Sequence, residues 1–337
     1  MSATTKSPRA VALSALAIAR DALPAYSHRS SPKTFTQAQL FACLVLKTFH
    51  KTDFRGAVAI LHDMPGLVGE LGLKRVPHFT TLHKAAGRLL RAANAGKLLG
   101  QTILAERWNR RRRRRRRDSR RRGRDSRRRG RGRRGRRPGR QAAADSSGLE
   151  CGHTSRYYIK RRRRGEQDLY QTTTYKRYAK LEVLADTDSH LVLAVGAARG
   201  PSPDAGRLIP LLEQVTARAV GPVRLARVLC DAGYDSEPNH RRAREAYGAR
   251  ALIPATTGRP GKNPPAGYFR RRMRKLLKTK RGRKGAGYGQ RWQVETVFSM
   301  IKRLLLSHVA ARSYWPQCRE LWMKAITLNI MIIAGME

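Results

Sequence analysis

Asp231 follows directly on a short apolar run, in the stretch VLCDAGYDSEPNH. Residues 224–230 read as a buried strand, and the carboxyl end of a strand in an open α/β sheet is where ligands bind. Asp231 is therefore a candidate ligand-binding carboxylate. The alternative is a turn aspartate that bonds its own backbone. Asp235 and Ser236 have a different predicted task, because a short polar side chain before a proline commonly starts a helix.

A second set of reactive side chains lies in the stretch YGQRWQVETVFSMIKRLL, residues 288–305. At about 100° per residue, Tyr288, Arg291, Glu295 and Lys302 fall within a sector of about 60° on a helix. The apolar residues gather on the opposite side, so the predicted helix is amphipathic. By itself this polar stripe is also consistent with the mixed-charge solvated face of an ordinary surface helix.

The elements around these side chains alternate between strands and helices. Two strands are predicted in YAKLEVLADTDSHLVLAVGAA, a helix in SPDAGRLIPLLEQVTARA, a helix near 237–247 and a strand in ARALIP. If Asp145 ends a first strand, the order is three strands, helix, strand, helix, strand, helix. That is the order of a ribonuclease H-like domain. We therefore predict an α/β fold over 142–337, with a mixed sheet flanked by helices.

The spacing Y-x2-R-x3-E-x6-K, together with the blocks ADSSGLE, SRYYIKRRRRG and VLCDAGYDSEP, resembles the DDE transposases of bacterial and archaeal insertion sequences. The resemblance covers roughly residues 145–335. It implies that Asp145, Asp231 and Glu295 are the catalytic acids and the ligands of two Mg²⁺ or Mn²⁺ ions. Phosphoryl transfer uses two such ions, and Mg²⁺ prefers oxygen ligands.

The same resemblance implies a reaction and a partner. Water would nick double-stranded DNA at the ends of the element, and the freed 3′ hydroxyl would attack target DNA. Tyr288, Arg291 and Lys302 would hold the DNA beside Glu295, since guanidinium and ammonium groups suit phosphate. Further backbone contacts are predicted at two basic runs, Arg161 to Arg164 (with Arg162 and Arg163 between them) and Lys278 to Lys284. A homo-oligomer is expected, as a dimer on DNA.

Charge supports a polyanionic partner. The 337 residues contain 72 Lys and Arg against 23 Asp and Glu, for a net charge of +49. Residues 107–140 hold 22 arginines against Asp118 and Asp125, or +20, which leaves 49 − 20 = +29 elsewhere. The tract is repetitive, so we predict a disordered segment over 106–141. It is either a nucleic-acid-binding arm or an accidental expansion.

Residues 1–105 are predicted to form a helical domain. Thr36 is expected to cap one helix, and Thr80 or Thr81 another. The latter helix, with His83, Lys84 and Arg88, is a candidate DNA-reading helix of helix-turn-helix type; a small bundle that only packs is the alternative.

The remaining signals concern location and activity. Four scattered cysteines indicate neither a zinc site nor a disulfide framework, and the terminal apolar run LWMKAITLNIMIIAGM reads as a core helix rather than a membrane span. A cytoplasmic, nucleoid-associated protein of a prokaryote is expected. Asp145 is preceded only by QAAA, and alanine is a poor strand former, so its strand is expected to be short. The alternative function is thus an inactive remnant that binds DNA without cutting it.

Overall fold

The chain folds as a group of helices followed by a mixed sheet that carries helices on both faces. The computed structural model describes residues 4–122, 139–151, 156–162, 170–218, 221–256 and 265–336. The helices are α1 Pro8–Ala22, α2 Gln37–Phe49, α3 Phe54–His62, α4 Pro65–Glu70, α5 Phe79–Leu89, α6 Ala92–Arg122, α7 Leu208–Thr216, α8 Glu237–Glu245, α9 Tyr268–Lys278, α10 Lys280–Ala286, α11 Trp292–Leu305 and α12 Tyr314–Ala334. The strands are β1 Arg140–Cys151, β2 Arg156–Arg162, β3 Tyr170–Lys176, β4 Tyr178–Asp186, β5 Val192–Gly200, β6 Leu225–Cys230, β7 Arg250–Leu252 and β8 His308–Val309.

The main sheet has the strand order β5-β4-β1-β6-β7, with β8 paired to the far end of β1. The first three strands pair antiparallel, whereas β6 and β7 run parallel to β1. Helices α11 and α12 cover one face, and α7 and α8 lie on the other. This confirms the predicted ribonuclease H-like arrangement. The sequence prediction missed the separate antiparallel hairpin of β2 and β3, which is inserted between β1 and β4.

Strand β1 differs from its prediction. It is 12 residues long, and Asp145 lies near its middle rather than at its end. The alanines at 142–144 are fully buried and pair with β4 on one side and β6 on the other. The expectation of a short strand was wrong because hydrogen bonds from two neighbouring strands outweigh the weak strand propensity of alanine. Asp145 is therefore held by a full-length strand that is paired on both sides.

The N-terminal helices share one hydrophobic core with the sheet. The same cluster of buried side chains includes members of α1, α2, α6, β4 and α12. Thr36 caps α2 in a full capping box, as predicted, but α5 is capped by His78, not by Thr80 or Thr81. The helix-turn-helix interpretation of α5 stays a prediction.

Helix α6 enters the arginine-rich tract. Residues 106–122, predicted to be disordered, are helical in this structure, and residues 123–138 lie outside the described ranges. The start of the tract is ordered because α6 packs on the sheet: Glu106 is fully buried, and its Oε2 lies 2.6 Å from Arg140 Nη2. Arg140 Nη1 in turn lies 2.7 Å from Asp186 Oδ2. These buried ion pairs join α6 to the first residue of β1 and the last residue of β4.

Side-chain amides cover the free edge of the outer strand β5. Asn329 of α12 accepts from the backbone N–H of Val192 at 2.8 Å and donates to its carbonyl at 2.9 Å and to Thr102 Oγ1 at 2.9 Å. Gln214 of α7 pairs in the same two-way manner with the backbone of Val195, at 3.2 and 3.0 Å. An exposed edge would invite pairing with another strand, and these contacts occupy it.

The terminal apolar run forms α12, whose side chains from Met323 to Ala334 are all buried. The prediction of a core helix is confirmed. Within the described ranges, no helix combines the length and the apolar character needed to cross a membrane.

Candidate active site

Strand register brings Asp145 and Asp231 to neighbouring positions. In the parallel pair of β1 and β6, Ala144 is the partner of Cys230, and the residue that follows each of them is an aspartate. Parallel partners point to the same face of the sheet. Asp145 Oδ1 accepts from the N–H of Ser146 at 2.8 Å. Asp231 Oδ1 accepts from the N–H of Gly233 at 2.9 Å, so Asp231 makes the turn hydrogen bond of the alternative interpretation and still lies beside Asp145.

The segment that carries Glu295 has two parts. Tyr288–Arg291 forms a 3₁₀ turn, and the α-helix begins only at Trp292, so the predicted continuous helix from residue 288 is wrong in its first turn. The apolar face of α11 is buried as predicted, with Val294, Val297, Phe298 and Ile301 in the core. Glu295 lies on the opposite face, and its side chain is 55% exposed. Tyr288 donates its hydroxyl to the carbonyl of Cys230 at 2.9 Å.

Arg291 links the first and third acids. Its Nη2 donates to Glu295 Oε1 at 2.5 Å, and its Nη1 lies 3.5 Å from Asp145 Oδ2. One guanidinium thus draws together a carboxylate on the central strand and a carboxylate on α11, which are 150 residues apart in sequence. Together with Tyr288, it fixes the start of α11 against the middle of β1 and the end of β6.

The electrostatic environment of Asp145 opposes its ionisation. Burial, and secondarily the negative charges of Asp231 and Asp204, raise the pKa of Asp145 to about 6, while the N–H of Ser146 and the guanidinium of Arg291 offset part of this effect. Burial and like charge both disfavour an ionised carboxyl. The site therefore carries more negative charge than its own cations neutralise.

Asp204, which sequence reasoning missed, belongs to this charge cluster. A Cβ placed on Gly233 would lie 3.1 Å from Asp231 Oδ1 and 3.6 Å from Asp204 Oδ2, so the two carboxylates flank the same glycine. Asp204 is also paired with the buried Lys180, 2.8 Å from Nζ to Oδ1. Its sequence context, SPDAGRL, looks like an ordinary helix start, and only the contact between two distant turns reveals it.

Asp235 and Ser236 were both predicted to start a helix, and only Ser236 does so. Ser236 caps α8, whereas Asp235 is fully buried and bonds to Arg270 at 2.8 and 2.9 Å and to Thr256. Burial raises the pKa of Asp235, but His240, Arg270 and Thr256 together lower it well below its ordinary value. His240 Nε2 contributes from 3.8 Å, too far for a hydrogen bond. Asp235 is thus a structural ion-pair partner four residues after Asp231.

The other predicted DNA contacts are spread over the surface. Lys302 follows two turns after Glu295 on α11, about 10 Å further along the helix axis. Lys84 is exposed and Arg88 half-buried on α5. Arg161 and Arg162 stand on β2, where the backbone alone is described, and Arg163 lies outside the described residues. Among the described residues, Tyr288 and Arg291 are the predicted DNA contacts that touch β1, the end of β6 or the candidate acids.

The sequence model of the family described as "Transposase DDE domain" matches residues 136–330, which is more than half of the chain. The chain belongs to the DDE transposases. The matched range contains Asp145, Asp231 and Glu295 and begins just before β1. A search of curated proteins found no match. DDE transposases bind DNA and generally depend on divalent metal ions.

The acids of this transposase suit such an ion by their chemistry. Carboxylate oxygens are the ligands that Mg²⁺ prefers, and the raised pKa of Asp145 indicates a site that a further cation would stabilise. Among the residues that the structure describes, no three His, Cys, Asp or Glu side chains converge closely enough to hold an ion by themselves.

Proposed function

We propose that this DDE transposase cuts DNA at the ends of an insertion sequence and joins the freed 3′ ends to target DNA, with Asp145, Asp231 and Glu295 as its catalytic carboxylates. The observation that carries the proposal is the arrangement of the acids: strand register sets Asp145 beside Asp231, and Arg291 forms ion pairs with both Asp145 and Glu295. Divalent cations held by these carboxylates would activate the attacking oxygen and stabilise the leaving one.

The surrounding residues have distinct proposed tasks. Tyr288 is a positioning residue, because its hydroxyl is donated to the carbonyl next to Asp231. Arg291 forms ion pairs with two of the acids and has the planar donors that bind phosphate oxygens in pairs. Lys302, Lys84 and Arg88 are proposed contacts to the DNA backbone. Since two element ends must meet one target, we propose a dimer assembled on DNA.

The test is cleavage of a labelled duplex that carries the ends of the element, in Mg²⁺ or in EDTA. Wild type is compared with Asp231→Asn and Glu295→Gln. Glu213→Gln is the matched control, because Glu213 is an exposed acid on α7. Loss of several kcal/mol of transition-state stabilisation should slow nicking by about 100-fold or more in the two acid variants. The control should nick at the wild-type rate.

Two results would contradict the proposal. Acid variants that nick as fast as wild type would remove Asp231 and Glu295 from the reaction. Wild-type protein that binds the ends yet never cuts them, in Mg²⁺ or Mn²⁺, would show a DNA-binding remnant instead. The full 12-residue length of β1 argues against that second outcome.

A further inference from the structure

Helices α9 and α10, which we call the basic arm (Tyr268–Ala286), form the connection between β7 and the 3₁₀ turn before α11. The arm contains ten Lys and Arg residues and no Asp or Glu. Nine of the ten cations are exposed, namely Arg271, Arg272, Arg274, Lys275, Lys278, Lys280, Arg281, Arg283 and Lys284. The inward side consists of Met273, Leu277 and Ala286, which are buried. The arm is thus a folded element with one apolar and one cationic face.

Within the described part of the protein, the nine exposed cations of this face form no ion pair with an acidic side chain. Only Arg270, the cation that is not exposed, has an acidic ion-pair partner there. Cations four residues apart on a helix, such as Arg274 and Lys278, destabilise it by about 0.2–0.5 kcal/mol per pair. An array of this kind is relieved by a polyanion that lies along it.

Both ends of the arm are attached to the segments that carry the candidate catalytic acids. At its start, Glu237 accepts from the backbone N–H groups of Phe269 and Arg270, each at 3.1 Å, and Arg270 bonds to Asp235. Asp235 and Glu237 follow four and six residues after Asp231. At its end, the carbonyl of Ala286 accepts from Arg227 of β6 at 3.2 Å.

The end of the arm leads directly into the site. Gly287 closes α10 with φ of 69°, a left-handed conformation that suits glycine, and the next residue is Tyr288. The hydroxyl of Tyr288 is bonded to Cys230, the residue before Asp231. The end of the arm therefore lies next to the segments that bear Asp231 and Glu295.

The geometry points to duplex DNA rather than to a lipid surface. A basic helix that lies on a membrane presents its apolar side chains outward, into the lipid. Here Met273 and Leu277 are buried in the protein, and Tyr268 is the arm's one large exposed apolar residue. The 11 residues of α9 extend about 16 Å, which spans roughly ten phosphate charges of a duplex.

We infer that the basic arm binds the phosphate backbone of duplex DNA and guides it into the site formed by Asp231 and Glu295. The inference rests on the proposed function, in that those acids act on DNA, and it adds a surface outside the catalytic acids.

The test compares two full-length variants that lose the same charge. The arm variant carries Lys278→Gln, Lys280→Gln, Arg281→Gln and Lys284→Gln. The control carries Lys6→Gln, Arg20→Gln, Arg29→Gln and Lys33→Gln, four exposed cations before, on and after α1. Affinity for a labelled duplex is measured from low to high salt. Since the arginine-rich tract is intact in both variants, its contribution cancels in the comparison.

A plot of log K against log salt has a negative slope, and each lost phosphate contact reduces its magnitude by about 0.9. The magnitude should therefore fall by up to about 3.6 in the arm variant and by less than about 1 in the control. Circular dichroism confirms that both variants remain folded. Equal slopes in the two variants would overturn the inference. So would an arm variant that binds DNA like wild type but loses binding to phosphatidylserine vesicles, because the face would then serve a lipid surface.

The outcome is separable from that of the proposed function. Asp231→Asn leaves the arm intact and should keep the wild-type salt slope while it stops cutting. If Asp231→Asn cuts normally, the proposed function fails whatever the slopes show. If Asp231→Asn is inactive and the arm variant keeps its slope, only the inference about the arm fails.

Discussion

Asp145 gives the sharpest test of the site, because its substitution should stabilise the protein. Burial, then the charges of Asp231 and Asp204, raise the pKa of Asp145 from 3.8 to about 6. A carboxyl whose pKa is higher in the folded state than in the unfolded state costs stability once it is ionised in both states. That difference in pKa corresponds to roughly 3 kcal/mol at pH 7. Asp145→Asn removes the charge and keeps an oxygen for the N–H of Ser146.

The sign and pH range of this effect follow from linkage. Below about pH 3 the carboxyl is protonated in both states, so wild type and Asp145→Asn should be equally stable there, apart from the change of group. As pH rises from about 4 to 6, the unfolded state ionises first and wild-type stability falls relative to the variant. At pH 7 in EDTA, Asp145→Asn should be more stable by about 1–3 kcal/mol.

Urea unfolding at pH 4, 5, 6 and 7 measures this difference. A variant that is less stable than wild type at pH 7 in EDTA would refute the electrostatic argument, since the side chain would then contribute favourable contacts as an anion. Adding Mg²⁺ supplies the second arm of the test. Because the ionised carboxylates are the proposed ligands, Mg²⁺ should raise the melting temperature of wild type and leave that of Asp145→Asn nearly unchanged.

Three further outcomes are expected. Asp235→Asn should destabilise the protein by about 3 kcal/mol or more in urea, the opposite sign to Asp145→Asn, because it leaves the guanidinium of Arg270 without its charged partner; an unchanged midpoint would contradict that role. Asn329→Ala should cost about 2–4 kcal/mol in thermal unfolding, since it removes three buried hydrogen bonds, and a loss below 1 kcal/mol would show that water replaces them. Gly233→Ala should slow DNA nicking about 10-fold, a loss of about 1.4 kcal/mol, with little change in melting temperature, because its methyl group would press on Asp231 Oδ1 from 3.1 Å; nicking at the wild-type rate would show that Asp231 tolerates the shift.

The part of the fold that the sequence predicts well depends on local signals. Apolar runs and helix caps are local, which is why β4, β5, α7, β6, α8 and β7 and the cap at Thr36 were predicted correctly, whereas the β2–β3 hairpin and helices α9 and α10 were missed. The length of β1 was predicted wrongly because neighbouring strands, and not its own residues, stabilise it. Three alanines have little strand propensity, yet between β4 and β6 their backbone groups are paired on both sides. Buried alanines also let helices approach the sheet from either face.

The site was predicted in part for a similar reason. Motif spacing suggested Asp145, Asp231 and Glu295, whose roles stay predictions; in the structure Asp145 lies beside Asp231, and Arg291 forms ion pairs with Asp145 and Glu295. Asp204 was missed because its nearness to Asp231 arises from two 3₁₀ turns that meet across about 27 residues of sequence. The inward ion pair of Asp235 was missed because helix-start chemistry already explained an acid at that position.

The spacing from Tyr288 to Glu295 has a structural explanation. On a continuous helix these residues would form only one polar stripe, a pattern that many surface helices share. In the structure, the first turn is a 3₁₀ turn, and two of its residues contact the sheet: Tyr288 donates a hydrogen bond to the carbonyl of Cys230 in β6, and Arg291 forms an ion pair with the carboxylate of Asp145 in β1. Glu295 follows one helical turn later, so its position is set by contacts to both strands that bear the aspartates. The eight residues 288–295 thereby set the position of Glu295 relative to Asp145 and Asp231, although the three acids lie far apart in sequence.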